Sequence, residues 1–173
     1  MSDGPLDMRM DQTIGTTAAD LVNHTDEKTL ADPIFQLGEE RRARKIARAI
    51  VRARPIRNST LHLAGVVERA VPRTGRLHPA TKTFMALRMA VNDEPKELDR
   101  LLETGPELLQ SGGRMVVISF MSSDDRAVKE KFKALGHSGR VRILTKHPLQ
   151  PTEEESASNP ASRSAKLRAL ETI

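Results

Sequence analysis

The chain has 173 residues, with 28 Lys and Arg against 23 Asp and Glu, no Cys, no Trp, no Tyr and four Phe. That length suits one ordinary domain, or one and a fraction of another, and it excludes collagen-like, porin-like and disulfide-stapled chains. Without cysteine there is no disulfide, no Cys-ligated zinc and no thiol nucleophile. With 2% aromatic residues, any core is made of Leu, Ile, Val, Met and Ala. The longest apolar run, Met115 to Ile118, falls far short of the roughly 20 residues that span a bilayer. Residues 1–5 carry an acid and no apolar core, so no signal or transit peptide is read there. The expectation is a soluble cytoplasmic protein without a membrane partner.

The net charge of +5 is unevenly placed. Between Glu39 and Arg76 stand eleven bases (Arg41, Arg42, Arg44, Lys45, Arg48, Arg52, Arg54, Arg57, Arg69, Arg73 and Arg76) against three acids (Glu39, Glu40 and Glu68). The segment therefore holds +8 and the remainder −3. An excess of this size suits a surface that meets phosphate, although a solvated helix face reads the same way. With so few aromatics to stack on bases, such a surface acts through phosphate contacts.

Residues 1–15 lack periodicity and read as a loop. Thr16 or Thr17 caps a short helix over 18–23, and Asp26 caps another carrying Leu30, Ile34 and Leu37 on one face. Pro33 falls inside that pattern and is expected to kink or split it. Residues 39–54 form the clearest helical pattern. Ile46, Ala49, Ile50 and Ala53 recur at 3–4 spacing, with acids in the first turn and bases in the last. Ser59 or Thr60 starts a helix with the stripe Leu63, Val66, Val67 and Ala70. Residues 73–77 read as a loop, Pro79 opens a helix through Val91, and Pro95 opens another that Pro106 bends or divides.

The texture changes at Gly112-Gly113. Residues 114–120 (RMVVISF) form a continuous apolar, β-branched run and read as a strand buried on both faces, as in parallel sheets. A helix over 123–135 and a second strand over 141–145 follow, then a polar segment over 148–160. Residues 161–170 read as a last short helix. The first texture (12–93) is helical and basic; the second (94–147) is a piece of an α/β sheet.

No Gly-rich phosphate loop, metal-ligand spacing or nucleophile elbow is present; the five histidines (24, 62, 78, 137 and 147) show no metal pattern. Asp124-Asp125 follows the carboxyl end of RMVVISF. That is the edge where α/β sheets take ligands, but acids in a first helical turn, capped by Ser122 or Ser123, fit equally well.

Five ordered stretches carry more than periodicity: DGPLDMRMD (3–11), GEERRARKIARAIV (38–51), HPATKTFMALRMAVNDE (78–94), GGRMVVISFMSSDDRAVK (112–129) and NPASRSAKLR (159–168). Together they resemble the MraW/RsmH family, S-adenosylmethionine-dependent methyltransferases that act on the exocyclic N4 of a cytidine in small-subunit (16S) rRNA. The resemblance implies an α/β fold, a partial Rossmann-like methyltransferase domain with an all-α inserted domain. Residues 1–11 would be a loop of the methyltransferase domain, 12–93 the RNA-facing insertion, and 94–173 the C-terminal part of the methyltransferase domain. In the family, DGPLDMRMD follows a segment that binds the methyl donor. No donor-binding residues are expected in this chain, and no metal. The chain would then be a fragment, inactive alone, with the N-terminal half missing or on a separate chain; a homodimer is the other partner expected. Three local departures stand out. Met121 replaces the usual His after Ser-Phe, Ala161-Ser162 replaces a common Arg-Ala, and Pro33 sits where the family helix is usually uninterrupted.

The resemblance places the DMRMD loop and the end of the RMVVISF strand near the catalytic cleft. Asp7 or Asp11 would accept a hydrogen bond from the target amine and Arg9 would pair with a phosphate. The alternative is that these charges pair with one another to fix the loop. Ser119 and Phe120 would border the cytosine, core packing being the other reading of Phe120. Arg41, Arg42, Arg48, His78, Arg163, Lys166 and Arg168 would hold the backbone of the rRNA or of the small ribosomal subunit (30S). A non-catalytic basic RNA-binding module is the competing function.

Overall fold

The computed structural model describes residues 3–13, 15–73, 75 and 77–173. It divides into two compact units, one running to Glu94 and the other spanning Pro95–Ile173.

The first unit is helical: α1 (Ala18–His24), α2 (Glu27–Gln36), α3 (Ala43–Arg52), α4 (Thr60–Ala70) and α5 (Thr81–Val91). Local chemistry sets most of the helix starts. Thr17 and Asp20 form a reciprocal capping box on α1. The Asp26 carboxylate accepts from the Lys28 and Thr29 amides at the head of α2, and the Ser59 hydroxyl accepts from His62 N–H at the head of α4. Pro33 does not split α2, which runs unbroken through it. Proline removes one amide donor, and the burial of Leu30, Ala31 and Ile34 around it offsets that loss.

The helix expected from residue 39 begins only at Ala43, and its first turn holds no acid. Glu39 sits at φ +49°, outside helical space. Glu40 turns its buried carboxylate onto Arg42, accepting from the backbone N–H (2.9 Å) and from Nε (3.0 Å). The chain reaches α3 through a charge-fixed bend, not an added helical turn.

The core of this unit is aliphatic, as its composition requires. Val22, Ile34, Ile46, Ala47, Ile50, Leu63, Val67 and Leu87 are fully buried, and Leu6 of the N-terminal loop joins them. Helix α2 packs against both α3 and α5, and α3 also packs against α4. Gly38 lies between α2 and α5. A β-carbon there would stand 2.7 Å from both the Ile34 and Lys82 carbonyl oxygens.

The second unit holds α6 (Glu94–Thr104), a 3₁₀ turn (Gly105–Leu108), β1 (Arg114–Ser119), α7 (Ser122–His137), β2 (Val141–Ile143), α8 (Glu153–Ser158), a 3₁₀ turn (Pro160–Ser164) and β3 (Lys166–Thr172). Its sheet has the order β1-β3-β2, with both pairings antiparallel.

Two expectations are corrected here. Residues 161–170 are not a helix: the 3₁₀ turn leads into β3, the central strand. Lys, Leu, Arg and Ala favour helix in isolation, but pairing on both edges overrides that preference. The strand β1 is not buried on both faces and is not parallel. Met115 and Val117 pack against the cluster of Leu102, Val128, Phe132, Leu135, Val141 and Leu170, whereas Val116 and Ile118 are 54% and 55% exposed. Helix α7 is also started differently from either capping expectation. Its cap position is Met121, with no side-chain cap.

A buried ion pair joins α7 to β3. Arg168 is 5% exposed, and its Nε and Nη2 donate to the two Asp125 carboxylate oxygens at 2.7 and 3.2 Å. These bonds hold the Asp125 carboxyl below its ordinary range against the opposing effect of burial, with a further contribution from Lys166 Nζ at 3.6 Å. A carboxyl depressed in the folded state stabilises it above the unfolded pKa. The contribution is lost as pH falls through the lowered value.

Three outcomes are expected. Ile46→Ala lowers the stability of the helical unit by about 2–5 kcal/mol, read by urea denaturation. Gly38→Ala is also destabilising, by about 1–3 kcal/mol, because backbone oxygens and not side chains crowd the site. Asp125→Ala strands a buried guanidinium and costs about 3 kcal/mol at pH 7; the deficit against the parent begins to shrink below about pH 4, where Asp125 of the unfolded chain takes up a proton, and is lost as pH falls through the lowered folded value.

Candidate functional site

Helix α3 sorts its residues by period. Ile46, Ala47 and Ile50 face the core. Arg41 just before the helix, then Arg44, Lys45, Arg48 and Arg52, recur at steps of three and four and form one exposed stripe. Arg48 pairs with Glu27 at 3.1 Å; Arg41, Arg44, Lys45 and Arg52 have no ion pair among the described residues. Two further arginines of the segment are structural. Arg42 is forked onto Glu40 and its Nη1 donates to the Pro72 carbonyl (3.1 Å). Arg54 Nε donates to the Val22 carbonyl (2.8 Å) and its Nη2 to that of Thr25, closing the C-terminal end of α1. Of the cations expected to hold RNA, Arg41 and Arg48 thus stand on the stripe and Arg42 does not.

A cavity of about 590 Å³ adjoins the head of α3, with Arg41, Arg42, Pro72, His78 and Lys82 among its lining residues. His78 accepts from the Ala80 amide at Nδ1 (3.2 Å), which leaves Nε2 towards Glu68 at 3.8 Å. Lys82 was not singled out by the sequence. Its ammonium donates to the Glu39 carbonyl (2.9 Å) beside Arg41, and only the bend before α3 brings the two together.

The DMRMD loop belongs to the helical unit by its contacts. The Leu6 amide donates to Asn58 Oδ1 (2.6 Å), and the Ala18 and Ala19 amides of α1 donate to the Asp7 and Leu6 carbonyls. Asn92 clasps the loop from α5, donating to the Met8 carbonyl (2.8 Å) and accepting from the Met10 amide (2.7 Å). Asn58 and Asn92 were not foreseen; paired side-chain bonds across more than fifty residues leave no mark in local pattern.

Within the loop the charges pair with one another. Arg9 Nε and Nη2 donate to the two Asp7 oxygens at 2.6 and 2.9 Å. These hydrogen bonds hold the Asp7 carboxyl below its ordinary range. Asp11 Oδ1 accepts from the Thr13 amide and hydroxyl at 2.8 and 2.7 Å, which lowers its pKa too, and Oδ2 carries no hydrogen bond among the described residues. Both groups are therefore anionic acceptors at neutral pH.

In the second unit, Ser119 is buried at the end of β1, its hydroxyl 3.5 Å from the Lys166 carbonyl. Phe120 follows it and is 57% exposed, so the core-packing reading fails. Arg163 is exposed. Lys166 leans on Asp125, and Arg168, expected to hold an RNA backbone, is buried with Nε and Nη2 on Asp125. Among the described residues no group of three or more His, Asp or Glu is placed to hold a metal, and no helix is long and apolar enough to cross a membrane.

A family model, that of the MraW methylase family, matches residues 1–173. The chain belongs to the MraW methylase family. It is 84% identical over 171 residues to the ribosomal RNA small subunit methyltransferase H of Solibacter usitatus, a match covering 99% of this chain and 59% of that protein. It is 54% identical to the protein of that name from Acidobacterium capsulatum (98% of this chain, 58% of the relative). The Synechococcus elongatus protein of the same name is 51% identical (99% and 57%). The chain thus spans about three-fifths of the length of these relatives.

The family implies a sulfonium methyl donor, and two places in the second unit do not fit one. The turn after β1, Phe120-Met121, has no glycine to let a ligand approach the backbone. A cavity of the second unit is edged by Lys129, Lys133 and Lys146, which repel a cationic sulfonium. Arg9→Gln is expected to return the Asp7 carboxyl towards its ordinary pKa, followed by carboxyl-carbon NMR through an acid titration. An unmoved midpoint would show that Arg9 does not set it.

Proposed function

We propose that this chain is the RNA-gripping part of a cytoplasmic methyltransferase that transfers a methyl group from S-adenosylmethionine to N4 of a cytidine in small-subunit rRNA. The α3 stripe carries the reading. Five cations on one exposed helix face suit a row of phosphates, and a core that is complete without them leaves that face free for a partner. Residues 12–93 are on this reading an insertion into the methyltransferase domain, and 94–173 the C-terminal part of that domain. The unpaired outer edge of β1 and its exposed Val116, Ile118 and Phe120 are where the catalytic sheet continues, on residues outside this chain.

The amine of cytosine is a poor nucleophile, since its lone pair is shared with the ring. The chain's task is to position it and accept from it. Asp11 Oδ2 has the charge and the vacancy for that role. Asp7 is committed to Arg9, so the pair acts by holding the loop's shape. Ser119 and Phe120 border the base, and Arg41, Arg48, His78 and Arg163 meet backbone. The donor is bound by residues outside this chain, so the chain alone does not turn over. A non-catalytic RNA-binding module is the second reading, favoured by the self-contained core of the helical unit.

Single-stranded RNA is expected to bind this chain with an affinity that falls steeply with salt, log K against log [salt] losing about 0.7 per phosphate contact. Arg44→Glu with Lys45→Glu should weaken binding tenfold or more and flatten that slope. Salt-insensitive binding would defeat the proposal. Methyl transfer to small-subunit rRNA by this chain alone would defeat the assignment of the donor site elsewhere, while restored turnover on adding the remaining part of a relative would set the catalytic reading above the second one.

A further inference from the structure

The second unit holds a small cavity on the side of α7 and β2, with neither Ser119 nor Phe120 in its lining. Its volume is about 240 Å³, below the range of pockets that take drug-sized ligands, so its occupant is a small group. It is lined by Lys129, Lys133, Lys146 and Arg168, together with Phe132, Ile143 and Thr145. No acid lines it. Lys129 and Lys133 stand one helical turn apart on α7, and Lys146 comes from the segment after β2. Lys133 and Lys146 have no ion pair among the described residues, and Lys129 has only an exposed contact to Glu130 at 3.9 Å.

The innermost cation is the informative one. Arg168 is 5% exposed, with Nε and Nη2 spent on Asp125. Its third nitrogen, Nη1, makes no hydrogen bond among the described residues, although the side chain lines the cavity. A guanidinium held rigid from behind, with donors left over, is pre-organised to bind an oxyanion in front of it. The Phe132 and Ile143 side chains beside it offer apolar contact to the carbon part of a sugar.

We propose that this cavity binds a phosphate group, of a polynucleotide backbone or of a free nucleotide, between Arg168 Nη1 and the three lysines. Four cations against the one shared carboxylate of Asp125 exceed what a carboxylate ligand needs and match a phosphate. This site is separate from the α3 stripe and does not rest on it.

The test is an NMR titration of the full chain with inorganic phosphate and with uridine 5′-monophosphate. The resonances to follow are the amides of Phe132, Thr145 and Lys146 and the Arg168 Nε. Saturable shifts at these positions are expected, weakened at least tenfold in the triple variant Lys129→Gln/Lys133→Gln/Lys146→Gln. These lysines are exposed or at the rim, so the variant keeps the parent's melting midpoint, and Arg44→Gln/Lys45→Gln leaves the shifts unchanged. Short single-stranded RNA separates the sources. Loss of RNA affinity in the triple variant, with a salt slope smaller by about 0.7 or more, assigns the site to backbone phosphate. Unchanged RNA affinity with lost nucleotide binding assigns it to a free nucleotide. Absence of shifts at these positions, or shifts that the triple variant leaves intact, overturns the proposal.

Discussion

Burial of one face of α3 is the constraint on which the helical unit turns. Ile46, Ala47 and Ile50 lie at the centre of a core shared with α2 and α4, and no aromatic ring is fully buried there to take their place. Because the helix repeats every 3.6 residues, fixing those three positions also fixes where Arg44, Lys45, Arg48 and Arg52 point. The exposed charge of this surface is thus a by-product of the packing, held rigid by it. Cations on a packed helix lose less freedom on meeting a row of phosphates than cations on a loop.

Charge also does internal work in this protein, and the two uses separate by burial. Glu40–Arg42 shapes the bend before α3, Asp7–Arg9 shapes the DMRMD loop, and Asp125–Arg168 ties α7 to the central strand. In each case the carboxyl is drawn below its usual range by a guanidinium fork. For Glu40 that happens in spite of burial, which alone would push it up. The remaining exposed cations, with the Nη1 of Arg168 that its fork leaves over, are the ones available to a ligand. Counting bases along the chain does not make this distinction, since Arg42 and Arg54 count with the rest.

Much of the helical unit was legible in the sequence. Capping residues and 3–4 apolar spacing placed α1, α2, α4 and α5 within a few residues. The errors share a cause. The start of α3 was misplaced because Glu39 and Glu40 look like first-turn acids until the bend and the Arg42 contact are seen. The strand β3 was read as a helix because its Lys, Leu, Arg and Ala favour one locally, while the two neighbours that make it a strand lie more than twenty residues away. The α3 stripe was visible as a run of bases; the union of Lys82 with Arg41 and the lysine-rimmed cavity around Arg168 were not.

Motif order along the chain was enough to place it in its family, and periodicity was enough to show a basic helical part followed by a sheet-forming part. Those features are local, carried by neighbours within a turn or two of helix or one strand. Which arginines are buried and paired, which face of β1 lies open and which donors remain for a ligand were decided by tertiary contacts. Such contacts join residues tens of positions apart. Their partners are selected by packing and desolvation, which act only once the chain has folded.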